Sequence, residues 1–235
     1  MNRSLSIRTW TEGFSSPEGV AVVFDIFRCS STIYTLNGRK LGPVYVAPSI
    51  QSVQGDPRLP NWRVFSELSQ PSVCLERFDN SPHQALLHPT SGPSTSLVAT
   101  TTGTPAMFAA RGFKKVFVGS FVNFSALIRT LTAVDAPITL IPAALPGSTQ
   151  IEDEIAAQAV ATAIEGFSNI PDFVRQCAAQ AKEKILASPR PEVLAKKLVN
   201  TGVDDVRLAL EVDRYSEVLA LSFEGDGPIA QLELV

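Results

Sequence analysis

Cysteine is scarce in this sequence. The 235 residues hold three, Cys29, Cys74 and Cys177, an odd count with no two in a CxxC pair. That spacing argues against a disulfide framework and a clustered zinc site, so the three read as free thiols in a reducing cytosol. Histidine is scarcer still. His83 and His88 lie five apart, poor spacing for two ligands on one helical face, and both read as surface or capping residues. There is no Lys/Arg run, and 20 basic against 23 acidic residues leave a formal net charge of −3. Nucleic acid and an anionic membrane surface are therefore not the expected partners. No apolar stretch reaches the ~18 residues of a membrane span. The opening residues "MNRSLSIRTWTEG" lack the apolar core of a secretory signal, so the expected location is cytoplasmic. Repeats and low-complexity segments are absent too.

What is present is a globular composition, 45% hydrophobic and 18% charged, in a chain long enough to bury a proper core. Hydrophobic runs alternate with helical patterns along most of it. "SLSIRTW" and "VAVVFDIF" read as strands, and "SSTIYTLNGRKLG" as a helix capped by Ser30 or Ser31. "VYVAP" and "RVFSEL" are strands, and "SPHQALLH" is a helix with Pro82 in its first turn. Strand and helix then alternate through "SLVATTT", "PAMFAARG", "KKVFVGS", "NFSALIRTLTA", "PITLIPAAL" and "EDEIAAQAVATAIEGF". Such alternation predicts an α/β fold of largely parallel strands covered by helices. The stretch 169–210 is helical throughout, and "SEVLALSFEG" with "IAQLELV" forms a closing hairpin around "GDGP". The Pro/Ser/Thr/Gly-rich segment Pro89 to Ser96 reads as a linker. It divides the expected architecture into two α/β lobes, 1–90 and 95–235, with a site in the cleft between them.

"VAVVFDIFRCSST" poses the functional question, because its most hydrophobic strand runs directly into Asp25 and Arg28. Burying unpaired charge is costly, so such residues are paired, metal-bound or functional. Polar residues recur at the other strand ends. Glu67 follows one, Thr100 to Thr102 and Thr104 another, Ser120 and Asn123 a third. Gly147, Ser148 and Thr149 follow a fourth and lead to Glu152, Asp153 and Glu154. In open α/β sheets ligands bind beyond the carboxyl ends of the strands. Hydroxyls and small-residue turns there suit a phosphate, and carboxylates suit a hard cation such as Mg²⁺. Each signal also has a structural explanation: hydroxyls cap helices, Glu152 to Glu154 complement a helix dipole, and Asp25 with Arg28 is a possible ion pair. The recurrence over five strand ends favours metal-assisted chemistry on a small anionic phosphorylated molecule.

The same segments carry a family resemblance. "FDIFRCSST" resembles the Asp-hydrophobic-hydrophobic-Arg-small-Thr/Ser-Ser-Thr motif of the 2-phosphosulfolactate phosphatase (ComB-type) family, and "FDNSP" its Gly-Asn-Ser-Pro segment. "VATTTGTPAM" is similar to its Thr-Thr-Thr-Asn-Gly-Thr strand end, and "VFVGSFVNFSAL" to its Asn-bearing helix entry. "GSTQIEDEIAAQAV" is similar to its Glu-Asp helix start, and "DDVRLALEVDRYSEVLAL" to its C-terminal aspartate-bearing segment. The resemblance implies a Mg²⁺-dependent acid phosphatase that hydrolyses 2-phosphosulfolactate, a step of coenzyme M synthesis. It implies catalytic roles for Asp25, Arg28, Glu152 and Asp153, with Arg28 as an anion clamp. It implies substrate contacts from Asn80, Ser81, Thr101, Thr102 and Asn123, and metal ligation by Asp25, Glu67 and Asp153. A homodimer is the assembly to test.

The sequence departs from the family at three places. "SELSQ" stands for Gly-Glu-Arg-Gly-Gly, "TTTGT" lacks the Asn, and Asp79 replaces a glycine. Losing an arginine fork removes a seat for a second anionic group, so a ligand with one fewer anion than 2-phosphosulfolactate is expected. Three function classes stay open: a Mg²⁺-dependent phosphatase of a small phosphorylated 2-hydroxy acid, a related anion binder without turnover, and another α/β sugar-phosphate enzyme.

Overall fold

Val20–Phe24 is buried at all five positions, as expected of a strand covered on both faces. Its side chains alternate between two cores. Val20, Val22 and Phe24 join one cluster, and Ala21 and Val23 the other. The computed structural model describes residues 4–68, 76–91, 95–148, 150–166 and 169–235. Cys74, Thr149, the last two residues of "SELSQ" and the centre of the expected linker lie outside the described residues.

The described strands are β1 (Leu5–Ile7), β2 (Val20–Phe24), β3 (Val44–Val46), β4 (Arg63–Phe65), β5 (Glu76–Phe78), β6 (Ser96–Val98), β7 (Lys115–Gly119), β8 (Ile138–Pro142), β9 (Leu219–Phe223) and β10 (Ala230–Leu234). The α-helices are α1 (Cys29–Gly38), α2 (Pro82–Leu87), α3 (Gly103–Ala109), α4 (Phe124–Thr132), α5 (Glu152–Glu165), α6 (Pro171–Leu186), α7 (Arg190–Lys197) and α8 (Gly202–Ala209). Edge strand β5 is not expected from the sequence, since its three residues, ERF, carry no hydrophobic run. Among the described residues no helix is long and apolar enough to cross a membrane.

All ten strands form one sheet, in the order β1-β8-β2-β7-β9-β10-β3-β6-β4-β5. It consists of two parallel blocks, β1-β8-β2-β7 and β3-β6-β4-β5, joined by the antiparallel hairpin β9-β10. The expected lobes 1–90 and 95–235 are therefore not the units of this fold. β2 from the first lies between β8 and β7 of the second, and β6 from the second lies between β3 and β4 of the first. The reason is register: parallel neighbours need crossovers, and the chain crosses between blocks instead of finishing one before starting the other.

The hairpin reverses strand sense, so the two blocks run opposite ways along the sheet. In a flat sheet their carboxyl ends would lie on opposite edges. The segments that follow β2 and β6 nevertheless come together, with Thr102 Oγ1 at 3.4 Å from Asp25 Oδ2. The junction of β7 with β9 is short, with Phe117 opposite Ala220 as its register pair. Tyr34 on α1 reinforces it. Its hydroxyl donates to the Val118 carbonyl at 2.9 Å and accepts the Leu219 N–H at 3.1 Å.

Two local expectations change. Neither Ser30 nor Ser31 caps α1, which starts at Cys29 without a serine cap because Ser31 Oγ turns back to the Arg28 carbonyl at 2.9 Å. His88 is buried, not on the surface: Nε2 lies 3.2 Å from Glu76 Oε2, and the ring packs edge-on against Phe78.

Candidate functional site

Asp25 follows the last residue of β2 and does the work the serines were expected to do. Its Oδ1 accepts the Cys29 N–H at 3.1 Å, and its carbonyl accepts the Ser30 N–H at 2.9 Å. The first turn of α1 is thus tied to the carboxylate itself, which fixes its orientation. Burial pushes the Asp25 carboxyl up to about 7. Glu67 adds to the rise and Glu152 adds less, while the Cys29 N–H and Arg28 oppose it. Cys29 is fully buried beside it and burial holds its thiol protonated, so it is a packing residue.

Asp153 and Glu152 open α5, but they do different things. Asp153 Oδ1 accepts the Ile26 N–H at 2.7 Å, which binds α5 to the turn that carries Asp25. Burial, then Asp25, then Glu152 push its carboxyl well above the ordinary range, against the pull of Ile26 and Arg190. Glu152 is gripped by Arg190 of α7, with Nε to Oε2 at 2.9 Å and Nη2 to Oε1 at 2.7 Å. Glu152 therefore positions α5 on α7 and does not reach the cavity described below. This corrects its expected catalytic role.

Arg28 is held on two sides. Asp79 takes both terminal nitrogens in a fork, at 2.8 and 3.0 Å, and Asp205 of α8 takes Nη1 at 3.0 Å. Asp205 is fully buried and also accepts the Ser81 hydroxyl at 2.6 Å and the His83 N–H at 3.1 Å. Ser81 caps α2 through the Gln84 N–H and has no exposed surface, so it supports Asp205 instead of touching a ligand. Arg28 is thus an internally paired cation, not an open clamp.

The carboxyl ends of the two blocks meet at Thr102, whose hydroxyl lies 3.4 Å from Asp25 Oδ2. Thr101 donates its N–H and hydroxyl to Glu67 Oε1 at 2.8 and 3.0 Å. Behind them Thr100 and Thr104 exchange N–H to hydroxyl bonds at 2.9 Å, locking the turn. A cavity of about 370 Å³ opens here, walled by Asp25, Arg28, Glu67, Asp79, Asn80, Thr101 and Thr102, with Arg190 and Lys197 of α7 opposite. Asn80 is buried and its Oδ1 has no hydrogen-bond partner.

The structure brings Asp25, Arg28, Glu67, Asn80, Thr101 and Thr102 to one cavity, with Asp153 behind its floor. Asn123 lies elsewhere. Its Nδ2 donates to Tyr34 at 2.6 Å and its Oδ1 accepts the Ser120 N–H at 3.1 Å, so it is a structural cap. Arg190 and Lys197 escape sequence reasoning, the first because "SPRP" reads only as a helix break. A signal was available for Asp205, in the aspartate-bearing C-terminal segment.

Among the described residues, no three Asp, Glu, His or Cys side chains are close enough to form a ready-made metal site. The expected set of Asp25, Glu67 and Asp153 is thus not assembled as a trio. Mg²⁺ asks for less, since it keeps several waters and takes one or two carboxylates. Two buried carboxylates, Asp25 and Asp153, the first raising the pKa of the second, offer the oxygen ligands that such a hard cation takes.

A protein of Clostridium beijerinckii, named a probable 2-phosphosulfolactate phosphatase, is 27% identical over 140 residues. The match covers 58% of this chain and 58% of that relative's length. A family model described as 2-phosphosulpholactate phosphatase matches residues 8–223, nearly the whole of the described fold, and the chain belongs to that family.

Proposed function

We propose that this chain is a Mg²⁺-dependent phosphoric monoester hydrolase acting on the phosphate ester of a small hydroxylated molecule. The observation that carries the reading is the meeting of Asp25 and Thr102, from opposite blocks, at the floor of one polar cavity. Family membership supports the reaction class.

Asp25 and Asp153 would hold the metal, two carboxylates being enough for Mg²⁺. Bound there, Mg²⁺ supplies Lewis-acid polarisation of a phosphoryl oxygen. The chain does the rest. Thr102 offers a hydroxyl for a phosphoryl oxygen at the cavity wall, its contact with Asp25 being long at 3.4 Å, while Thr101 holds Glu67 in place. Asp153 fixes the backbone at Ile26, and with it the aim of Asp25. Arg190 anchors Glu152 and presents its outer face to the cavity, where positive charge favours a developing oxyanion. Cytoplasmic location and a homodimer belong to the same reading, and a place in coenzyme M synthesis follows only if 2-phosphosulfolactate is turned over.

The test is phosphate release from 2-phosphosulfolactate, 2-phospholactate and simple phosphomonoesters, with and without Mg²⁺. Release that depends on Mg²⁺ supports the proposal, and no release from any ester overturns it.

A further inference from the structure

The cavity wall built by β5 and the start of α2 is unusual in what it offers a ligand. Arg28 is the cation nearest the floor, yet both of its terminal nitrogens are taken by Asp79, while Asp205 holds Nη1 from behind. Asp79 is itself fixed. Its N–H donates to Gln84 Oε1 at 3.0 Å and its Oδ1 accepts the Asn80 N–H at 2.8 Å. Its side chain is 27% exposed, whereas that of Arg28 is only 6% exposed, so a ligand meets the carboxylate before the guanidinium. Asn80, the next residue, is buried and lines the same wall. A bidentate carboxylate is what a guanidinium fork binds best, so Asp79 stands where an organic anion would sit.

We infer that Asp79 is a specificity determinant: it fills the anion seat on Arg28, so the cavity selects phosphomonoesters whose second substituent is a neutral or cationic hydrogen-bond donor. This rests on the phosphatase reading and names its substrate class. The phosphoryl group goes to Asp25 and Thr102, and the remainder of the molecule faces Asp79 and Asn80. An ammonium or hydroxyl there donates to the part-exposed Asp79 carboxylate. A sulfonate or carboxylate meets like charge, which is costly in a partly desolvated site.

The experiment compares the purified chain with its Asp79→Asn and Asp79→Gly variants, in Mg²⁺, on 2-phosphosulfolactate and O-phosphoethanolamine. The wild-type chain is expected to favour O-phosphoethanolamine in kcat/KM by at least about tenfold. Both variants are expected to shift that ratio at least about tenfold towards 2-phosphosulfolactate. A wild-type preference for the sulfonate, or a ratio that moves less than about twofold in both variants, overturns the inference. Calorimetric titration with sulfoacetate, which has no phosphoryl group, reads the seat without turnover. Saturable binding gained in Asp79→Asn and lost again in Asp79→Asn with Arg28→Lys supports the inference, and equal binding by wild type and Asp79→Asn overturns it. If no ester releases phosphate while sulfoacetate behaves as expected, the phosphatase reading fails and the seat assignment stands.

Discussion

Arg190 grips Glu152 through both carboxylate oxygens, at 2.7 to 3.2 Å, and the two side chains are almost entirely buried. A pair of this kind contributes little over a well-packed apolar pair, but breaking it leaves one charge stranded. Arg190→Leu and Glu152→Gln are each expected to cost about 3–5 kcal/mol in urea unfolding. The double variant Glu152→Leu/Arg190→Leu should recover more than half of that loss. Single variants within about 1 kcal/mol of wild type would show the pair to be an exposed contact of little weight.

Asp25 links pH to stability. Its folded carboxyl titrates at about 7 against 3.8 ordinarily, so between those values the folded chain keeps a proton that the unfolded chain has released. Stability of the metal-free protein therefore falls as pH rises from about 4 to 7 and stays low above, a cost on the order of a few kcal/mol. Asp25→Asn removes the charge. It should raise the melting temperature at pH 8, leave it nearly unchanged at pH 4.5, and abolish turnover. Added Mg²⁺ should raise the melting temperature of wild type more at pH 8 than at pH 5.5, because it competes with protons. An Asp25→Asn variant less stable than wild type at pH 8 contradicts the buried-charge account.

How much of this could be read from the sequence differs by level. β2 and the βα alternation were legible because burial on both faces leaves an uninterrupted apolar run, and Asp25 stood out as the charge that breaks it. The sheet order was not legible. Nothing in "IAQLELV" says that the hairpin goes between β7 and β3, a choice made by long-range packing. Around the cavity, the shared position of Thr101, Thr102 and Glu67 was legible because strand ends converge, and Asp153 lies behind the floor. Ser81 and Asn123 were misplaced for a physical reason: a hydroxyl or amide that caps a helix has the same local sequence as one that meets a ligand. Arg190 and Asp205 act through partners 38 and 177 residues away, beyond the reach of local patterns.

Tyr34 is the clasp between the first block and the hairpin, with its hydroxyl shared among Val118, Leu219 and Asn123. Tyr34→Phe strands a buried Leu219 N–H and an Asn123 amide. The expected loss is about 1–3 kcal/mol, with kcat of the folded protein unchanged, because none of these groups faces the cavity. Amide exchange should quicken at Leu219. A large drop in kcat at full folding would place Tyr34 in the reaction instead.

Gly103, the first residue of α3, is required by close approach. A Cβ at this position would lie 2.3 Å from Asp25 Oδ2 and 2.8 Å from Cys29 Cβ, closer than atoms can stand. The Asp25 carboxylate cannot simply swing aside, since its Oδ1 is tied to the Cys29 N–H and α1 follows directly. Gly103→Ala must therefore push α3 away from β2 or tear Asp25 from its cap. Overpacking of this kind costs about 1–3 kcal/mol. The larger effect is on the reaction, because a displacement near 1 Å at such a site lowers turnover by about 100-fold. Gly55→Ala is the control, for Gly55 has φ +96° and a methyl group there would meet nothing within 4 Å, so that change strains the backbone far from the cavity. Both variants should lose stability, and only Gly103→Ala should lose turnover and Mg²⁺-dependent thermal shift. Equal turnover in the two variants would separate Asp25 from the chemistry and remove the floor of the proposed site.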